Sequence, residues 1–121
     1  MTSRQVDEFF AGHPLGRAAF DRVAGLLAGI ADLAVTVSRS QVAFRRRRAF
    51  AWLWLPDRWL TRPAAEVVLS VSLGRQDPSP RFKEVVHPAR AHWMHHLELT
   101  DLADLDDEVA GWLREAADRA G

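Results

Sequence analysis

The chain has 121 residues, 16 basic against 16 acidic, a formal net charge of zero and no cysteine. That length fits a single domain, 1–121, which can bury one core without staples, and the lack of cysteine excludes disulfides, thiol catalysis and zinc–thiolate sites. Balanced charge argues against a dedicated nucleic-acid binder, no apolar run approaches the ~18 residues of a membrane span, and "MTSRQVDEFF" lacks a signal-peptide core, so a soluble cytoplasmic protein without membrane attachment is expected.

Thr2 and Gln5 form a T-x-x-Q capping box ahead of Val6, Phe9 and Phe10, which predicts a short first helix stopped at Gly12. Pro14 suits the start of a second helix, about 14–30, whose stripe is Leu15, Ala19, Val23, Leu26 and Ile30. The apolar period then drops from 3.6 to 2. Strands are expected at 33–37, 41–46, 49–55, 67–73, 82–87 and 92–99, with Pro56, Pro63, Pro78 and Pro80 between runs. A final helix follows Thr100, with Leu105, Val109, Trp112, Leu113 and Ala116 on its stripe and acids crowding its start. Short connections favour antiparallel hairpins. The expected fold is α+β in two layers: an antiparallel sheet of five to six strands, two N-terminal helices and one C-terminal helix.

Charge is unevenly spread. Residues 39–90 hold ten arginines and one lysine against four acids, and four of those arginines, Arg45 to Arg48, are consecutive. A hairpin through them puts Val42, Phe44, Ala49, Ala51, Leu53 and Leu55 on one face. Gln41, Ala43, Arg45, Phe50, Trp52 and Trp54 take the other. The aliphatic set should meet the helices, leaving an aromatic face. The arginines read either as a phosphate-contacting cluster, Arg45, Arg46, Arg47 and Arg48, or as a solvated tip that guards strand edges. The aromatics read as a ligand or base-stacking platform, or as packing under a loop or at a homodimer interface.

A four-residue loop from Pro88 to Ala91 would pair His87 with His92, Val85 with Met94 and Lys83 with His96, and would bring His92, Met94 and His96 to the aromatic face. In that register Trp93 and Val86 face the core, and Glu84 faces His95, either as a buried ion pair or as an acid–base pair of a small enzyme. His92, His95 and His96 form no metal site on a strand, because His92 and His96 lie about 13 Å apart and His95 points away. "RAFAWLWL" echoes the stacking strand of an RNA-recognition motif only partly, and the element order differs.

Three segments, "VDEFFAGHP", "SRSQVAFRRRRAFAWLWLP" and "HWMHHLELTDLADLDDEVAGWLREA", together resemble a bacterial family called domain-of-unknown-function family 5655 over nearly the whole chain. In its more distant relatives a Phe like Phe50, a Trp or His near His92 and Trp93, and the acidic last helix recur. Some of those relatives are labelled predicted transport proteins or joined to nuclease-like domains. The resemblance implies no catalytic residue and no cofactor.

From the residues, the leading expectation is a non-enzymatic binding or accessory module. Its open face would use Arg45, Trp52, Trp54, His92 and His96 to hold a small molecule or protein partner. Nucleic-acid association through Arg45–Arg48 and the small enzyme with a His95–Glu84 pair are the alternatives. No metal and no cofactor is called for.

Overall fold

The computed structural model describes residues 3–121, so Thr2 and its capping box lie outside the described residues. Helices α1 (Ser3–Phe9) and α2 (Pro14–Leu26) precede strands β1 (Ala34–Val37), β2 (Val42–Arg45), β3 (Ala49–Trp54), β4 (Val67–Leu73), β5 (Glu84–Ala89) and β6 (His92–Leu99), and helix α3 (Asp107–Arg119) closes the chain. Gly12 turns the chain at φ +80, where a side chain would be strained, and Pro14 starts α2. The second helix ends at Leu26, before the expected residue 30, because Gly29 takes φ +88 and breaks the spiral.

One antiparallel sheet runs β1-β2-β3-β4-β6-β5, with the helices on a single face, as the α+β reading required. Val42, Phe44, Ala51, Leu53 and Leu55 are wholly buried there. Phe20 stacks on Phe44 at 5.5 Å, and Phe82 meets Trp112 of α3 at 4.4 Å. Asp106 accepts from the Val109 N–H at the α3 start, so the acids before the helix are caps.

Two registers differ from expectation. A bulge after Phe44 sets Ala51 against Phe44 but Ala49 against Arg45. The extra residue is Phe50, which therefore joins the core at 1% exposure instead of the outer face. In the last hairpin the turn is Arg90-Ala91, not a four-residue loop: Ala89 pairs with His92, Val86 with Met94, Val85 with His95 and Glu84 with His96. Pro88 lies inside a bulge on the edge strand, where no ladder N–H is needed. The one-residue slip sends Val85 to the core and leaves Val86 exposed. It also parts Glu84 from His95, so the expected acid–base pair does not form. The same bulge turns His87 onto Trp93, with the rings stacked at 3.6 Å.

The arginine run is bound to the end of α3. Arg46 donates from Nε to Ala31 O (2.9 Å) and from Nη1 to Ala117 O (3.0 Å). Arg48 donates from Nη2 to Arg119 O (2.8 Å), and the Arg47 N–H to Ala120 O (2.9 Å). Carbonyls in the last turn of a helix carry the negative end of the macrodipole and have spare acceptor capacity, so two guanidinium groups are well matched to them. The hairpin tip is therefore more than a solvated turn. Among the described residues no helix is long and apolar enough to cross a membrane.

Candidate ligand site

The outer face of the sheet is built from the residues that alternate with the core. Register aligns Thr36, Ala43, Trp52, Ser70, His96 and Glu84 in one row across all six strands. A neighbouring row holds Trp54, Val68 and Glu98. The middle of this surface is the floor of a cavity of about 690 Å³, within the range of small-molecule sites. Trp52, Trp54, Ser70, Met94 and His96 form that floor.

Two loops raise walls on it. Ser40 and Gln41 come from the β1–β2 turn, whose shape is fixed by Ser38: its Oγ accepts from the Gln41 N–H (3.2 Å) and the Ser40 N–H (3.3 Å). Pro56, Trp59 and Leu60 come from the 3-10 turn after β3 (Pro56–Arg58) and its exit. Trp59 and Leu60 are 60% and 54% exposed, unlike every aromatic of the core. Arg58 secures the back of both walls. Its guanidinium donates to Arg39 O in the first loop and to Phe9 O at 3.0 Å, and lies 4.5 Å from the Phe9 ring centroid. His13 pins the same turn, with Nε2 2.6 Å from Asp57 Oδ2 and Nδ1 3.0 Å from Ala11 O. Both nitrogens face acceptors, and the Asp57 carboxylate raises the His13 pKa above its ordinary value.

Trp54 stands edge-on to Trp59 at 5.9 Å and to His96 at 6.1 Å, an arrangement that suits aromatic quadrupoles. Its indole Nε1–H donates to Ser70 Oγ at 2.8 Å, and Ser70 Oγ lies 2.6 Å from His96 Nδ1. Burial pushes the His96 pKa below its ordinary value, against the opposing pull of the Glu84 charge. Desolvation therefore favours the neutral imidazole. Among the described residues that line the cavity, His96 alone has an ionisable side chain.

The structure brings together three of the five expected residues, Trp52, Trp54 and His96. Arg45 lies beyond the bulge at the far end of β2 and lines no part of the cavity. His92 sits four residues from His96, with Nδ1 3.4 Å from Ser72 Oγ, and also lies outside it. Trp59 and Leu60 were not anticipated. Their signal was an apolar pair in a proline-bounded loop, where turn residues are the norm. His95 is fully buried. Its Nε2 accepts from the Asp77 N–H (2.9 Å) and its Nδ1–H donates to Trp93 O (2.9 Å), so it has no free atom for acid–base work. Of Arg45–Arg48, two guanidinium groups are committed to helix carbonyls, and the run contributes nothing to the cavity. Among the described residues no three histidine or carboxylate groups converge on a metal position.

The model of one protein family, described as a domain of unknown function (DUF5655), matches residues 6–119. No curated protein and no solved structure matches the chain.

Proposed function

The chain belongs to the DUF5655 family, whose description carries no activity, and we propose that it is a non-enzymatic binding module that holds a flat, uncharged organic molecule in the tryptophan trough. One observation carries this reading: three tryptophans, Trp52, Trp54 and Trp59, open onto a walled cavity of about 690 Å³ whose lining, among the described residues, holds no acidic or strongly basic side chain. An anion would lose its hydration there without gaining a partner, and a cation would have only ring faces in place of counter-charge. Ring faces and edges instead reward a planar apolar body by burial and quadrupole contact.

Fluorescence quenching with naphthalene, quinoline and indole as probes tests the reading. Saturable binding with a Kd of roughly 0.1–1 mM is expected for molecules of about ten heavy atoms, together with a loss of tenfold or more in Trp59→Ser. Absence of saturable binding, or equal binding by Trp59→Ser, would contradict it. Tight, salt-sensitive binding of single-stranded oligothymidine that survives Trp59→Ser would move the function to the arginine tip.

A further inference from the structure

The hydrogen-bond chain on the trough floor fixes the tautomer of His96. Indole Nε1–H can only donate, so the Trp54–Ser70 bond uses Ser70 Oγ as acceptor. Ser70 is 3% exposed, and among the described residues the only other group on its Oγ is His96 Nδ1 at 2.6 Å. A buried hydroxyl hydrogen without an acceptor costs free energy, so the Ser70 O–H donates to Nδ1. A neutral imidazole whose Nδ1 accepts carries its hydrogen on Nε2.

That Nε2–H has no acceptor among the described residues, yet it is not sealed from solvent. Glu84, its neighbour across β5–β6, acts on the ring through its charge without a hydrogen bond. Besides the Ser70–His96 pair, the polar side chains that line the trough among the described residues are Ser40 and Gln41, but a hydroxyl and an amide both donate and accept, so they select for neither. Both belong to the β1–β2 turn, and Gln41, at the entry to β2, is three strands away from His96, about 14 Å across the sheet.

Building on the trough reading, we infer that the ligand is a neutral, planar heteroaromatic molecule that presents a hydrogen-bond acceptor, a ring nitrogen or carbonyl oxygen, to His96 Nε2–H. Ser70 is the positioning residue that holds the imidazole in this tautomer. A molecule whose only polar group at that point is a donor gains nothing there, because two hydrogens would face each other.

Three bicyclic probes separate the acceptor rule from the trough itself. At pH 7.5 quinoline, with an acceptor nitrogen, should bind about three- to tenfold tighter than naphthalene, the gain of one net hydrogen bond. Indole, which only donates, should bind no tighter than naphthalene. In His96→Phe the ratio of quinoline affinity to naphthalene affinity should fall to about one or below. Independently of any variant's folding, nitrogen-15 NMR of the wild-type imidazole should show His96 protonated on Nε2 and bare on Nδ1. Equal affinity for the three probes, or a His96 ring protonated on Nδ1, would overturn the acceptor rule alone. Binding of none of them would overturn the trough reading and this inference with it.

Discussion

The two faces of this sheet are made by the same strands and differ in almost every physical respect. On the helix side Leu53, Leu69 and Leu97 line up across β3, β4 and β6, and all are buried. One residue along, the outer face sets Trp52, Ser70 and His96 side by side, with Trp52 and His96 half-open to solvent. The inner row does its work by leaving water, a non-directional gain that any aliphatic side chain of similar volume supplies. The outer row is directional. Its indole, hydroxyl and imidazole are ordered by hydrogen bonds, and its aromatic surface is left partly uncovered. If the outer face is the binding surface proposed above, stability is concentrated on one face and recognition on the other, and residues of the same type should respond oppositely to substitution.

Tryptophan gives the sharpest contrast. Trp112→Ala on α3 should destabilise by about 3–5 kcal/mol in urea unfolding, since that ring is 6% exposed, packs on Phe82 and donates to Asp77. A change below about 1 kcal/mol would mean that α3 does not depend on this face. Next in size is Arg46→Ser, expected to cost about 1–3 kcal/mol because two charge-assisted bonds to backbone carbonyls are lost. No measurable change would return the arginine run to the role of a solvated tip.

The His13–Asp57 pair should contribute less than about 1 kcal/mol, because Asp57 is 44% exposed. Its sign with pH is fixed. The folded pKa of His13 lies above the ordinary 6.5, so the stabilisation is complete below pH 6.5 and is lost as pH rises through the raised value. The difference in melting temperature between wild type and His13→Ala should therefore shrink from pH 6 to pH 9. A difference that grows would contradict the pairing. The smallest stability effect is expected for Trp59→Ser, within about 0.5 kcal/mol, despite the loss of a whole indole. A cost near that of Trp112→Ala would show Trp59 to be structural and erase the contrast between the faces.

Much of this division is visible in the alternation of the sequence. Period two separated Val42, Phe44, Ala51, Leu53 and Leu55 from Trp52 and Trp54, and the last helix declared its stripe. The failures fall where the period breaks. The bulge after Phe44 moved Phe50 to the core, and the bulge holding Pro88 shifted one hairpin by a residue. Neither bulge has a local signature as strong as the proline that pointed to a turn. Contacts distant in sequence were also beyond reach. Arg46 meets carbonyls at Ala31 and Ala117, and Trp59 folds back over Trp54 on a turn that Arg58 and His13 hold against Phe9 and Ala11, far away in sequence. His92 and His96 share a strand face, yet the cavity takes in only His96.

The chain's five tryptophans allow the central claim to be read directly. Each indole Nε1–H gives its own resonance in a nitrogen-15 correlation spectrum, and quinoline can be titrated against all five at once. The account predicts saturable shifts at Trp52, Trp54 and Trp59, with Trp93 and Trp112 unmoved. Shifts spread evenly over all five, or confined to Trp93 and Trp112, would contradict a ligand site on the outer face of the sheet.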